Sequence, residues 1–480
     1  MNKYLSIIAL LLIVFAVSVK AQLTPQDAVK GMVRGINIGN TMEPPVEGAW
    51  DNPPLQERAF DDYKNAGFTS IRIPITWDGH TSITPPYTID STWLNRVEQV
   101  VNWGLRRGLF IIIDAHHETW IKTWYSDSTV ARFDSIWSQI ATRFKDKSDS
   151  LIFEILNEPN LMTEQHVNEL NANVLKIIRQ TNPTRIVSFS GYMWSNSDQL
   201  VTAAIPDSAD KYLIGYYHSY DPYPFGLVGT GTYGTAADIN ATKAKFDQVT
   251  AWSKKNNIPV ILDEFGYMNK CDYNSRMCAY ATVVDQALSH GVSMFAWDDG
   301  GDFPTYNRTT GGFNEIKDIL IYTNPESPDG MRISQLSGTS IKVQWHNRNT
   351  ENDSIVIQRK VGGGSFEYYR KVAPTDSEFI DNTISPGTSY YYRLNIIMKD
   401  SIELESYPVM LNAVATSIKL LNVPVRFELS DNYPKPFNPA TTIGFSLPKT
   451  EHVIMKLYDI LGRQVATLVD EERPAGSCGK

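Results

Sequence analysis

Two glutamates stand where hydrophobic, strand-like runs give out. The first run is Leu151-Ile-Phe-Glu-Ile-Leu156, followed by Asn157-Glu158-Pro159. The second is Pro259-Val-Ile-Leu262, followed by Asp263-Glu264-Phe265-Gly266. One glutamate at a strand end implies nothing, since a solvated carboxylate there is common. Two carboxylates at the ends of two buried strands are what cleavage of a glycosidic bond needs. One protonates the leaving oxygen, and the other attacks the sugar carbon or activates water.

The elements that must hold this pair are legible in the same way. From about Val33 to Ile321, short β-like runs alternate with longer amphipathic stretches such as 93–107 and 167–180. The runs are residues 35–38, 69–73, 109–114, 151–155, 185–189, 212–216, 260–262 and 292–296. Ile, Val and Phe follow one another in them without polar alternation, which predicts strands buried on both faces and hence a parallel sheet. Eight such βα units predict a (β/α)8 TIM barrel. The alternative, an open doubly wound sheet, usually carries a Gly-rich phosphate loop after its first strand, and Gly35-Ile-Asn-Ile-Gly39 is not one. In a barrel the site lies at the C-terminal strand ends. The residues there are Arg72, Asp114-Ala-His116-His117-Glu118, Asn157-Glu158, His218-Ser-Tyr220, Glu264 and Trp297-Asp298-Asp299. Nearly every strand therefore ends in a group that can ionise, hydrogen-bond or stack.

The 480-residue length leaves room for further domains, and the formal net charge of −9 argues against nucleic acid as a partner. Lys3, the apolar stretch 6–19 and Val19-Lys20-Ala21 read as a secretory signal over residues 1–21, with a single membrane anchor as the alternative. The barrel is expected over 22–323. A break at 324–330, Asn-Pro-Glu-Ser-Pro-Asp-Gly, predicts an exposed linker. Residues 327–417 then change to short alternating strands with turns, the pattern of an antiparallel β-sandwich. A small C-terminal β module is expected over 424–480. Cys271 and Cys278 could close a disulfide in an oxidising compartment or remain free; their spacing leaves both open.

Three resemblances sharpen these readings. The barrel segment resembles glycoside hydrolase family 5, through Ile71-Arg72-Ile-Pro74, Asp114-Ala-His116, Asn157-Glu158-Pro159, His218-Ser-Tyr220, Glu264-Phe-Gly266 and Trp297 in order on successive strands. Trp345 and Ile384-Ser-Pro-Gly-Thr-Ser-Tyr390 resemble the fibronectin type III family, in which the Trp packs in the core and the Tyr makes a corner hydrogen bond. Asn432-Tyr-Pro-Lys-Pro-Phe-Asn-Pro-Ala-Thr-Thr-Ile443 with Val453-Ile-Met-Lys-Leu-Tyr-Asp-Ile-Leu-Gly-Arg-Gln-Val465 closely resembles the C-terminal sorting domain of type IX secretion. Such domains usually run further, to a Gly-Val-Tyr-type strand, so the module reads as truncated; another sugar-binding sandwich is the alternative.

The first resemblance implies a retaining endo-β-1,4-glucanase with Glu158 as acid/base and Glu264 as nucleophile. Arg72, His116, His117, Asn157, His218, Tyr220 and Trp297 would bind substrate around them. Glu264 should stay ionised beside Arg72 and Tyr220, while burial and the charge on Glu264 should raise the pKa of Glu158. In that family the peptide after this Trp is often cis, so a cis Trp297–Asp298 bond is expected. No cofactor or metal is expected; a metal on His116, His117 and Glu118 has poor spacing. The expected partners are a β-glucan polysaccharide and the type IX machinery. The protein is expected to be monomeric and secreted or held at the cell surface. Another β-1,4 backbone (xyloglucan, mannan or xylan) is the runner-up substrate. A non-catalytic carbohydrate-binding barrel is the competing class, disfavoured because both glutamates are present; a metal-dependent polysaccharide deacetylase is a weaker third.

Overall fold

A computed structural model describes residues 22–50, 52–349, 352–398, 403–415, 427–432, 440–473 and 476–479. The signal expected over 1–21 and most of the 432–443 motif lie outside these residues. No helix among the described residues is long and apolar enough to cross a membrane.

Eight parallel strands close into a barrel, each bonded to the next and β8 to β1. They are β1 (Arg34–Asn37), β2 (Ser70–Ile73), β3 (Phe110–Asp114), β4 (Leu151–Glu154), β5 (Val187–Phe189), β6 (Leu213–Ser219), β7 (Val260–Phe265) and β8 (Ser293–Ala296). All eight expected runs are present. The helices outside carry apolar stripes that the strands cover. Ser91–Arg106 buries Trp93, Val97, Val100 and Val101, and the Asp90 carboxylate caps it by accepting the Trp93 N–H at 2.9 Å.

The barrel interior explains why a site forms at one end only. Ile112, Ile152, Ile214, Tyr216 and Ile261 pack in one buried cluster, and Ala28, Val29 and Met32 of the helix Pro25–Met32 join it, stopping the N-terminal mouth. Side chains in a strand return to the same face every second residue. Two residues on from Ile112, Ile152, Tyr216 and Ile261 stand Asp114, Glu154, His218 and Asp263, all buried. The inward columns thus change from hydrocarbon to ionisable groups within one layer.

One irregularity shapes that layer. Tyr217 pairs with Leu262, but His218 pairs with Glu264, so β7 carries an extra residue against β6. A bulge of this kind breaks strict alternation. It lets Asp263 and its neighbour Glu264 both approach the His218 ring, at 3.2 Å each.

After the helix Glu315–Tyr322 come two antiparallel sheets. One is formed by β9 (Asp329–Ser337), β10 (Ser340–His346) and β13 (Glu378–Asp381). The other contains β11 (Asn352–Val361), β12 (Glu367–Val372), β14 (Ser389–Met398), β15 (Glu403–Glu405) and β16 (Val409–Asn412). β14 alternates buried and half-buried residues along its length, as a strand with one covered face must. Trp345 is buried, and the Tyr390 hydroxyl accepts the Ser385 N–H at 2.9 Å, the corner bond expected of that tyrosine. Asp381 ties the two sheets: its carboxylate accepts from Tyr392 and Tyr369, each at 2.7 Å, and from Arg359 at 2.8 Å.

The joint between barrel and sheets is only in part the exposed linker expected: within 324–330, Glu326 and Gly330 are exposed but Ser327 and Pro328 are buried. Thr323, just before it, is buried too. Asn274, on the helix Tyr273–His290, pairs both ways with the Met410 backbone, donating at 2.9 Å and accepting at 2.6 Å. Arg348 pairs with Asp285 at 2.9 Å and Arg393 with Asp318 at 2.6 Å across the same seam. The turn itself is short, closed by the Ser327 N–H donating to the Asn324 carbonyl at 3.0 Å, and Gly330 already belongs to β9. Cys271 and Cys278 are free thiols; Cys271 Sγ donates to the Phe225 carbonyl at 3.0 Å.

The C-terminal part has β17 (Glu428–Leu429), β18 (Gly444–Leu447) and β21 (Gly476–Gly479) in one sheet and β19 (Glu451–Tyr458) with β20 (Gln464–Arg473) in a hairpin. Phe445, Leu447, Val453 and Val469 form its small core.

Candidate active site

Arg72, fully buried on β2, organises the C-terminal mouth. Its guanidinium donates to both oxygens of Glu154 (2.9 and 2.6 Å), to Asp114 (2.9 Å), Asn157 (2.8 Å), Asn37 (3.0 Å) and Glu264 (2.8 Å). A planar fork of donors suits this task and a lysine would not. Burial alone would discharge the group, but Glu154, Asp114 and Glu264 hold its pKa well above normal.

Glu264 is nearly enclosed. Besides Arg72, the Tyr220 hydroxyl donates to its Oε2 at 2.9 Å. Glu158 lies beyond the end of β4, where Asn157 N donates to the Ala115 carbonyl at 3.0 Å and holds the turn. Its own φ is +43°, left-handed backbone that a non-glycine residue adopts only when its surroundings impose it. The side chain of Glu158 is 27% exposed, against 5% for Glu264. One carboxylate therefore faces the open cleft and the other its floor.

His218 links them. Its Nδ1 lies 2.9 Å from Glu158 Oε1 and 3.2 Å from Glu264 Oε2, and Nε2 lies 3.2 Å from Asp263 Oδ1. Ligating atoms of Glu158, His218 and Glu264 all fall within 4.8 Å of one another. Despite burial, the charges of Glu264 and Asp263 raise the His218 pKa well above the usual value. The resulting pKa order reverses the sequence expectation. Burial raises Glu264, and His218 and Arg72 offset this only in part. Burial pushes Glu158 the same way, but the hydrogen bond and charge of His218 bring it below its ordinary value.

His116 is fixed by Asp114 Oδ2, 2.6 Å from its Nδ1, and its Nε2 lies 3.3 Å from Asn157 Nδ2. Trp297 stacks parallel to His116 with ring centres 6.0 Å apart. Gly39 makes room for the indole, since a Cβ there would lie 2.6 Å from Trp297 Cη2. The Trp297–Asp298 peptide is trans, contrary to expectation; among the described residues the cis bonds are Pro85–Pro86 and Asp221–Pro222. Trp297 N continues the ladder to the Phe265 carbonyl at 2.7 Å, and the buried Asp298 carboxylate accepts from the N–H groups of Gly300, Thr305 and Tyr306. The chain on both sides is thus pinned without a cis bond, which would cost about 3–4 kcal/mol.

All nine expected residues gather at this mouth, but His117 stands at its rim. It is exposed, with its ring 5.6 Å from Trp50. Glu118 turns away, accepting the Trp77 N–H at 2.6 Å and the Trp120 indole N–H at 2.7 Å. Residues given no role from sequence also belong here. They are Asn37, Asp114, Glu154 and Asp263, the buried Lys122, whose ammonium donates to the His116 carbonyl at 3.1 Å, and Glu43. A charged residue inside an apolar run, as Glu154 is in Ile-Phe-Glu-Ile, was the available signal: it can be buried only with a partner.

Comparison with known proteins agrees with this geometry. Residues 32–302, more than half of the chain, match the model of Cellulase (glycosyl hydrolase family 5). Endoglucanase H of Acetivibrio thermocellus is 46% identical over 304 residues, covering 62% of this chain and 33% of that protein. Cellulase/esterase CelE of the same organism is 34% identical over 59% of this chain and 38% of its own length. The chain thus spans about a third of the length of these two relatives. Among solved structures, Thermotoga maritima Cel5A with mannotriose superposes with a TM-score of 0.60 at 32% identity, over 62% of this chain and all (100%) of that one. A tri-modular endo-beta-1,4-glucanase from Bacillus licheniformis, complexed with cellotetraose, gives 0.68 at 26% identity over 90% of this chain and 86% of that one. With the site residues in place on the barrel and the family model spanning it, the chain belongs to glycosyl hydrolase family 5.

Proposed function

We propose that this protein is a retaining endo-β-1,4-glucanase. The observation that carries this is the proximity of Glu158 and Glu264, with oxygens within 4.8 Å of one another. An inverting pair must leave roughly 6.5–9.5 Å for a water, whereas a retaining pair sits at about 5–5.5 Å. Glu264, steadied by Arg72 and Tyr220, attacks the anomeric carbon. Glu158, on the open side, protonates the departing oxygen and then deprotonates the water that releases the glycosyl-enzyme.

The resting charges explain how one proton serves both steps. Burial raises the pKa of Asp114, Asp263 and Glu264, so the cluster favours keeping a proton. His218 holds it 2.9 Å from Glu158. A sugar entering the cleft expels the water that supports the Glu158 charge and moves the proton onto the carboxylate.

Relatives named endoglucanase support a β-1,4-glucan as substrate, and the exposed Trp50, Trp124 and Trp194 on βα loops offer rings for several sugars. The mannotriose complex of a relative at 32% identity favours a second reading, mannan or glucomannan. Reducing-sugar release from carboxymethylcellulose, β-glucan, xyloglucan, glucomannan and xylan separates the two. Nuclear magnetic resonance of the first product should show the β anomer. An α product would refute the retaining pair, and wild-type turnover by Glu264→Ala would refute the site.

The same proposal extends to the rest of the chain: export by the 1–21 signal, a catalytic domain over 22–323, a fibronectin type III-like sandwich over 327–417 and a type IX sorting module over 424–480. The Tyr390 corner bond and buried Trp345 support the third part. Fractionation of cells that make the chain with and without 424–480 tests the last.

A further inference from the structure

A second cluster at the mouth has an unfilled ligand position. Glu43 follows β1 and is 1% exposed. Its Oε2 accepts the Thr41 N–H at 3.0 Å, while Oε1 has no hydrogen-bond partner. That oxygen lies 3.9 Å from His116 Nε2, and ligating atoms of Glu43, His116 and His117 all fall within 4.8 Å of one another.

We propose that Glu43, His116 and His117 form a site for a divalent transition metal such as Zn²⁺ at the edge of the substrate cleft. Two imidazoles and a carboxylate are a standard donor set for such ions, with one position left open. His116 is already prepared as a ligand. Asp114 Oδ2, 2.6 Å from Nδ1, keeps the proton on that side, as outer carboxylates do for metal-bound histidines, and leaves Nε2 an acceptor that an ion would take over from the Asn157 amide. Donors of a tetrahedral zinc lie roughly 3.3 Å apart, given bonds of about 2.0–2.1 Å. The cluster must therefore tighten a little. His117 can supply the movement, because it is exposed and its ring rests only edge-on against Trp50 and His116. Opposing the ion are the Asn157 amide, 3.3 Å from His116 Nε2, and the nearby Lys122 ammonium. Binding is therefore reversible and moderate.

The other ligand groupings do not offer this. Arg72 already fills both oxygens of Glu154, and Arg72 and Tyr220 fill those of Glu264. Glu118, the third ligand the sequence offered, is spent on the Trp77 and Trp120 N–H groups, and Glu43 from the loop after β1 takes its place.

An ion here would sit beside the Trp297–His116 stack and exclude a sugar from it. Zn²⁺ should thus compete with substrate; that consequence rests on the proposed glycosidase reading, but the binding itself does not. Calorimetric titration of the full chain with ZnCl₂ should show saturable one-to-one binding. Glu43→Gln keeps the Thr41 hydrogen bond, and His117→Ala alters an exposed residue, so both variants fold; each should weaken binding at least about tenfold. With a soluble β-glucan, Zn²⁺ should raise KM without lowering kcat, and a chelator should reverse the effect. Absence of one-site binding, or equal affinity in both variants, overturns the site. Site-dependent binding with unchanged KM overturns its placement in the cleft. If no polysaccharide is cleaved, the functional reading fails while the heat of titration still decides the metal site.

Discussion

Replacing Arg72 with lysine should damage stability and catalysis through the same loss. The guanidinium donates to five side chains: Asn37, Asp114, Glu154, Asn157 and Glu264. A lysine ammonium has three donors at one point, so at least two of these partners lose their bond. Hydrogen bonds to charged groups are worth about 1.5–3 kcal/mol each, which puts the cost at about 3–6 kcal/mol. Breaking a buried ion pair gives a similar figure of about 3–5 kcal/mol. A domain's whole stability is about 5–15 kcal/mol, so Arg72→Lys should shift the urea midpoint, read by tryptophan fluorescence, by a large fraction of its value. The charge on Arg72 also lowers the Glu264 pKa against burial. Weakening that contact raises it further, and the nucleophile role proposed for Glu264 requires it ionised. The acidic limb of kcat/KM should therefore move to higher pH by about one unit, since one unit corresponds to about 1.4 kcal/mol of lost interaction. A variant with the wild-type midpoint and the wild-type acidic limb would refute the view that this guanidinium holds the site together.

Tyr220→Phe removes the hydroxyl that lies 2.9 Å from Glu264 Oε2; kcat should fall about 10–100-fold, the kinetic equivalent of about 1.5–3 kcal/mol, with little change in the melting curve. Asn274→Ala cuts the two-way bond to the Met410 backbone and should lower stability by about 1–3 kcal/mol in calorimetry while leaving kcat on soluble substrate unchanged; unchanged stability would mean that the seam does not brace the barrel. For Asp381, burial alone would raise the carboxyl, but hydroxyls of Tyr392, Thr383 and Tyr369 bring it to about 2, from 3.8. A depressed pKa stabilises the fold above the unfolded value and is lost as pH falls from about 4 through 2. Asp381→Asn should therefore flatten the acid limb of stability, and parallel pH profiles for variant and wild type would exclude the effect.

The barrel was legible because unbroken Ile, Val and Phe runs can be buried on both faces only in a covered parallel sheet. The limits of those runs were not the limits of the strands. The expected runs stop at Tyr216 and Leu262, yet β6 continues to Ser219 and β7 to Phe265. Backbone pairing does not require apolar side chains, and the polar ends of these strands are where His218 and Glu264 sit. The bulge at Asp263 was illegible for a related reason. An extra residue in one strand is a property of two strands in register, and no single run displays its partner's register.

The same distinction explains the reversed pKa order. Residue types alone set burial and the opposing glutamate against Glu158, and both raise it. What decides the sign is where a third group stands, and His218 lies 2.9 Å from Glu158 and 3.2 Å from Glu264. Its proton stabilises whichever carboxylate has the shorter hydrogen bond. That is Glu158, the more exposed of the two, at 27% against 5%. Glu264 is enclosed already. Covering the cleft would therefore disturb the charge on Glu158 more than that on Glu264, as the acid role proposed for it requires.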